Sequence, residues 1–506
     1  MRPSRLLPVV CLSLLGILAA CSSAPAEATK PPATGACTVG ATACDGLDVK
    51  RCELRSAVPT WSPKVPCDEG QVCRAGACTA YTDEETGRLQ AIDALLGESR
   101  DRGATAAPVD YPALQRSLHE MLLLGDGSPK AYVSTLWTGM LALPQGHQHL
   151  GPKDAQDYPP YESAGFSLGS LTRYSACLRP YQDHAVVTIA DPKAVLKRGD
   201  EIVAIDGKRG DAMKALLLAQ PLGFDFLPPA ESGRMAFALR SFFSVDRTGT
   251  VLTVRRAGAE TEVTLPAPVK PESGYGCDDA FGRDYTKPAI GTVLADGTGV
   301  LYISGFAQTS VEAFEKDVGP EFDKVKDAPR LVIDLRGNGG GLLRSALDVV
   351  SQIPDARRTD YCEFFERTGG SNPATYVSRS VRSVDPAAVP VPARFPYRGR
   401  VAVLIDGATH SAAEHFALAT KLATNAVLVG TKTAGAYGTI TSDKTLALPG
   451  SPALEVSINR SQVRSIDGKP LDGTSVEPHV VVEYEPDAMA KGQDPMLQRA
   501  IVELSK

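Results

Sequence analysis

The 506-residue chain has no run of Lys and Arg that would track a nucleic-acid backbone. Its 53 basic residues are outnumbered by 59 acidic ones, for a net charge of −6. Nucleic acid is therefore not an expected partner. Zinc-type spacing is missing as well. The cysteine-dense segment 37–78 has no CxxC pair and no histidine, which argues against a structural metal. The glycine cluster at Gly337, Gly339, Gly340 and Gly341 lacks GxGxxG spacing, and no GK[ST] follows it. A phosphate loop is not indicated. Ser411 does not stand in a GxSxG pentapeptide, which excludes the α/β-hydrolase elbow there. No metal or cofactor is required by what remains.

At 506 residues and 43% hydrophobic, the chain has room for about two to four domains. Residues 1–21 read as a targeting segment. Arg2 and Arg5 precede an apolar stretch, Leu6 to Ala20, too short for a permanent membrane span. Its end, Leu18-Ala19-Ala20-Cys21, resembles a bacterial lipobox. That resemblance implies cleavage before Cys21, a lipid on its sulfur, and an exported chain anchored to the cell envelope. Ser22 after the cysteine points by analogy to the outer membrane.

Residues 22–36, rich in Ala, Pro, Thr and Ser, read as a flexible tether. In the module 37–79, Cys37, Cys44, Cys52, Cys67, Cys73 and Cys78 read as three disulfides of open connectivity. Cys177, Cys277 and Cys362 stay unassigned.

Residues 80–155 carry apolar positions at helical spacing: Leu89, Ile92, Leu95 and Leu96, then Leu114, Leu118, Met121 and Leu122. Within 160–270, Val195 to Gly207 resembles the GLKxGDxIxxIDG stretch of a PDZ domain, which implies a β-rich module that takes a peptide as an added strand. Its carboxylate-binding loop would fall near Gly165 to Gly169. The segment from Leu216 to Val245 exceeds what a compact PDZ needs and reads as an insertion. Thr250 to Leu265 alternates like a strand pair. From 271 onward a Gly/Pro-rich linker leads into strands at Val300, Val401, Val427 and Val480, with a helix at Val311 to Val325. Tyr361 to Tyr397 reads as irregular and proline-rich.

Two stretches organise this last region. In LVIDLRGNGGGLL, Leu331 to Leu343, an apolar β-branched run stops in glycines and a helical pattern follows. In VAVLIDGATHSAAEHFALATK, a strand at Val401 to Ile405 breaks at Gly407, and Ser411 opens a helix with an apolar face at Phe416, Ala419 and Leu422. Two helix N-termini at one sheet edge offer free N–H groups and a positive dipole, a setting for a developing oxyanion. Ser411-Ala-Ala-Glu414 has a plain reading too, as a capping box.

Together the two stretches resemble the S41 peptidases, the family of C-terminal processing proteases, tricorn-type proteases and retinoid-binding-protein repeats. Asp334 to Gly340 is similar to that family's D-x-R-x-N-x-G-G signature, and Thr409 to Glu414 to its nucleophile motif. Gly430 to Gly435 resembles the turn that follows. Leu471 to His479 resembles the late E-G-x-G-V-x-P-D motif, with Asp472 in place of the glutamate and Ser475 and His479 as further departures. Leu143 to Leu150 resembles the D-G-H-x-x-L stretch of the tricorn-like branch; His147 matches its histidine, Gln145 replaces the aspartate, and His149 is the nearest competitor.

The resemblance implies a multidomain α/β protein with a ClpP/crotonase-like catalytic core at 271–506. It also implies peptide-bond hydrolysis of polypeptide substrates by Ser411, with His147 as base and Asp472 as the acid. Gly340 and Ala412 would supply oxyanion N–H groups. The lysine of the C-terminal processing branch is replaced by Ala436, and Lys432 falls in another register. Asp334 and Arg336 read as structural, and His410 and His415 as surface or supporting groups. A histidine base implies activity falling below about pH 6.5. The competing expectation is a catalytically inactive peptide- or ligand-binding protein on the same scaffold.

Overall fold

The computed structural model describes residues 37–506 except 57, 105–107, 144–146, 153–173, 192, 220–227, 269–276, 278–279, 285, 307–309, 370–374, 388–396, 439–444 and 451–452. The expectations at Cys21, the leader and tether, Gln145 and the loop at 165–169 lie outside these residues.

The first module is two small antiparallel units, β1 (Thr42–Asp45), β2 (Asp48–Arg55) and β3 (Val58–Trp61), then β4 (Gln71–Arg74) and β5 (Ala77–Ala80). Among its described hydrophobic residues, only Cys52, Val72 and Cys73 are buried. Disulfides Cys37–Cys52, Cys44–Cys73 and Cys67–Cys78 hold what so small a core cannot.

Helices α1 (Asp83–Arg102), α2 (Tyr111–Leu124) and α3 (Pro129–Ala142) follow, capped by Thr82, Asp110 and Ser128. After β6 (His149–Pro152) comes an antiparallel sheet of β7 (Ala176–Tyr181), β8 (His184–Ala190), β9 (Glu201–Ile205), β10 (Val251–Arg256) and β11 (Ala259–Thr264), each paired with its neighbour in sequence. Between β9 and β10 lie α4 (Gly210–Leu218), most of which precedes the expected insertion at Leu216 to Val245, and α5 (Glu231–Phe242), which falls within it. A fourth disulfide, Cys177–Cys277, ties β7 to the linker, and Cys362 stays free and buried.

The last region comprises β12 (Ala289–Val293), β13 (Gly299–Ile303), α6 (Val311–Asp323), β14 (Arg330–Asp334), α7 (Leu343–Ser351), β15 (Thr359–Gly369), β16 (Thr375–Val384), β17 (Arg400–Ile405), α8 (Ala412–Ala423), β18 (Val427–Gly430), β19 (Leu446–Leu448), β20 (Leu454–Ser457), β21 (Ser461–Ser465), β22 (Val480–Val481), α9 (Pro486–Ala490) and α10 (Pro495–Leu504). Its sheet runs β12-β13-β14-β17-β18-β22, antiparallel only between β12 and β13. Strands β14 and β17 are adjacent, parallel and central, which explains their continuous apolar runs. Their carboxyl ends bring the glycine cluster and Ser411 to one edge.

The stretch from Tyr361 is not irregular. It forms a long antiparallel pair, β15 with β16, and β21 joins on the other side. Pro386 lies outside the strands, whose aromatic and β-branched content favours a pleated sheet, and the other prolines of the stretch fall outside the described residues. Leu422 is 47% exposed, so the buried face of α8 runs through Phe416 and Ala419 without it.

One apolar core spans several regions, including Leu95 of α1, Ile202 of β9, Phe237 of α5, and Ala434 and Ala436 after β18. Strand β6 pairs with β20, His149 opposite Ser457. The segment carrying His147 is thereby stitched to the region that carries Ser411.

Candidate active site

Asp406, at the end of β17, knots the two turns together. Its Oδ1 accepts the N–H groups of Gly337 (3.0 Å) and Ala408 (3.1 Å), and its Oδ2 accepts the Tyr484 hydroxyl (2.8 Å). The Thr409 hydroxyl accepts from Asp406 N–H and donates to the Leu335 carbonyl. Asn338, fully buried, donates through Nδ2 to the Ile303 carbonyl, and its own carbonyl accepts the His410 N–H. These bonds leave the turns little freedom.

Ser411 sits at the mouth of α8 with φ 57° and ψ −128°, a left-handed conformation that a non-glycine residue holds only under constraint. Its N–H is donated to the Ala436 carbonyl at 2.9 Å. Its side chain caps nothing, so the capping-box reading fails. Glu414 does not reach back to it either. The Glu414 carboxylate is buried and accepts the Thr433 hydroxyl, the Gly435 N–H (2.7 Å) and the Ala436 N–H (2.6 Å). Burial pushes its pKa up to about 8 against the pull of these donors.

The oxyanion expectation is corrected in part. A Cβ on Gly340, whose φ is +87°, would lie 2.5 Å from Ser411 Cβ and 2.7 Å from Ala412 N, so only glycine fits. The Gly340 N–H, however, is donated to Asn338 Oδ1 at 2.8 Å and faces no reacting group. Ala412 N–H, at the first position of α8, has no acceptor among the described residues. Gly341, exposed beside Gly340, has an N–H in the same condition.

His147 is buried, with φ 59°. Burial lowers its pKa well below 6.5, and His410 and His415, which stand on either side of Ser411 in the sequence, push it the same way. His149, the competitor, folds its ring over Gly151. Asp472 is buried too, and burial raises its pKa to about 6. Its Oδ1 accepts the N–H groups of Tyr437 (2.7 Å) and Gly438 (3.0 Å). Among the described residues it makes no hydrogen bond to His147; its partners are main-chain amides of the turn after β18.

Neither neighbouring histidine is a surface group. His410 is buried, its Nδ1 2.8 Å from the Ala408 carbonyl and its ring edge-on to Phe237. His415 lies between the Tyr361 hydroxyl (3.1 Å) and the Tyr437 carbonyl (2.9 Å), and burial lowers its pKa to about 4. Lys432 is exposed and paired with Glu477 at 2.7 Å, while Ala436 is fully buried. His479, in place of the late motif's aspartate, accepts the Leu428 N–H at 3.0 Å.

Asp334 and Arg336 are structural, as expected. Burial alone would raise the Asp334 pKa, but the Arg283 and Arg336 guanidiniums bring it below the ordinary carboxylate range. Arg336 also grips both oxygens of Asp494, the cap of α10, at 2.8 and 2.7 Å. No motif marks the part played by α5. Ser232 Oγ donates to the Thr433 carbonyl at 2.8 Å, and a Cβ on Gly233 would strike the Ala434 carbonyl at 2.5 Å.

Known proteins resemble the region around this site. The model of peptidase family S41 matches residues 297–482. The chloroplastic carboxyl-terminal-processing peptidase 3 of Arabidopsis thaliana is 27% identical over 254 residues, 48% of this chain. The chain spans only 40% of that relative's length. A crystal structure of mature CPAF is 16% identical with a TM-score of 0.59, covering 84% of this chain and 97% of its own. A second, of mature CPAF complexed with lactacystin, is 15% identical with a TM-score of 0.57, covering 84% and 98%. At such identities the likeness shows a shared fold. The segment that carries the glycine cluster, Ser411, the turn after β18 and Asp472 matches the model of peptidase family S41, and it is set in a chain that shares the fold of mature CPAF.

Proposed function

We propose that the protein is an exported, lipid-anchored serine peptidase. Ser411 is the nucleophile and His147 the base, and polypeptides are the substrates. The observation that carries this is Ser411 itself. It stands in a constrained left-handed conformation with a hydroxyl that caps nothing, beside the unengaged N–H of Ala412. A helix-capping serine needs neither feature.

Ser411 Oγ attacks the scissile carbonyl carbon while neutral His147 takes its proton. The oxyanion of the tetrahedral intermediate is met by the N–H groups of Ala412 and Gly341. His147 returns the proton to the leaving amine, and water then cleaves the acyl-enzyme. Asp472 acts through the turn that it holds. Cys21 carries the lipid that fixes the protein to the envelope, at the outer membrane, and the five-stranded antiparallel sheet serves as a PDZ-like module. The test is hydrolysis of an unstructured protein by wild type and Ser411→Ala. Cleavage by the first alone is the expected result. Equal cleavage by both would remove Ser411 as nucleophile, and cleavage by neither would favour a binding role. Anchoring predicts membrane retention that Cys21→Ser abolishes; retention without Cys21 would sink it.

A further inference from the structure

We infer that Glu414 is a positioning residue whose buried carboxylate sets the conformation of Ser411 through the turn 433–436. The inference rests on the reading of Ser411 as nucleophile. The turn is tied down amide by amide. Glu414 takes the Thr433 hydroxyl and the N–H groups of Gly435 and Ala436, and Asp472 takes those of Tyr437 and Gly438. Four consecutive amides thus end on two buried carboxylates. The Ala436 carbonyl, which accepts the Ser411 N–H, shares its peptide unit with the Tyr437 N–H held by Asp472, and the unit before it is held by Glu414 through the Ala436 N–H. Among the described residues that is the one bond Ser411 N–H makes, and it ties the residue, at φ 57°, to the turn.

The chain of dependence is short. Glu414 fixes Ala436 N–H, the adjoining carbonyl fixes Ser411 N–H, and Ser411 presents its hydroxyl. Thr433 completes the cradle, since its hydroxyl also accepts the Val476 N–H at 2.7 Å. Two of the three groups that Glu414 touches are main-chain N–H donors, which only an oxygen can meet. A glutamine of the same size would turn an amide N–H₂ towards either Gly435 N–H or Ala436 N–H. At least one bond of the clamp would be lost, with no change in volume.

The experiment compares Glu414→Gln, Thr433→Val and Thr433→Ser with wild type and Ser411→Ala. It reads peptide hydrolysis and the rate of labelling by a fluorophosphonate, which reports the nucleophile without substrate binding. Glu414→Gln is expected to lower kcat and labelling together by about 10²-fold, the scale of a misplaced reacting group, with KM near the wild-type value. Thr433→Ser, which keeps the hydroxyl, is expected to exceed Thr433→Val in both readouts. Wild-type kcat and labelling in Glu414→Gln would overturn the inference. If that variant does not fold, the threonine pair decides: equal rates in Thr433→Ser and Thr433→Val would overturn it equally. Hydrolysis that survives Ser411→Ala would instead overturn the nucleophile assignment beneath it.

Discussion

The turns after β14 and β17 stand side by side and solve one geometric problem by different means. The first reaches positive φ with glycine, at Gly337, Gly340 and Gly341. Glycine takes such angles without steric penalty, so its surroundings need only fill space. The second reaches positive φ with Ser411, because a hydroxyl is needed there. A side chain in that conformation costs of order 1–3 kcal/mol, which surrounding bonds must offset. The supports differ accordingly. The glycine turn hangs on charged pairs, Asp334 with Arg336 and Arg283, and Arg336 with Asp494. The serine turn hangs on acceptors aimed at main-chain amides, from Asp406, Glu414 and Asp472. The glycine turn adds charged pairs to its hydrogen bonds, whereas the strained serine is steadied by buried carboxylates that clamp the amides of the turn 435–438 accepting its N–H.

The sharpest way to break the first support is Arg336→Met. It leaves Asp334 buried opposite a lost partner, and such a loss is expected to cost about 3–5 kcal/mol of stability, read as a lower denaturation midpoint. An unchanged midpoint would mean the charge pairs do not hold the turn. Gly340→Ala attacks the point where the two turns touch. Its methyl would meet Ser411 Cβ and Ala412 N, and a loss of about 10²–10³-fold in kcat is expected, the scale of a lost oxyanion donor. Near-normal turnover would show that the turns can move apart.

The smallest effect concerns pH. His147 is held neutral by burial, with its pKa well below 6.5. A base that stays neutral in mild acid keeps accepting protons there. The acid limb of kcat/KM is therefore expected below pH 6.5, lower than the free-histidine value from which the sequence reading began. A limb at or above that value would remove His147 from the role.

Much of this was legible in order along the chain. The apolar runs at Leu331 and Val401 gave central parallel strands, and the glycines and Ser411 gave their turns, because both patterns are local. The three bridges of the first module followed from cysteine density, though the pairing needed the fold. What stayed hidden depends on contacts distant in sequence. Glu414 lies three residues from Ser411 and looks like its cap, yet its partners begin nineteen residues on, at Thr433. Asp472 resembled a triad acid, but which proton donors surround a carboxylate is decided by packing, and here they are main-chain amides. Helix α5 bears no motif at all. Its place against Ala434 depends on two small residues, Ser232 and Gly233, that let backbones approach.

The grip of Arg336 on Asp494 has a consequence in time. The first of these residues leaves the ribosome 158 residues before the second. Until the later one emerges, the arginine beneath the glycine turn lacks one of its two carboxylates. A growing chain must therefore reach helix α10 before the glycine turn after β14 has both of the carboxylates that brace it.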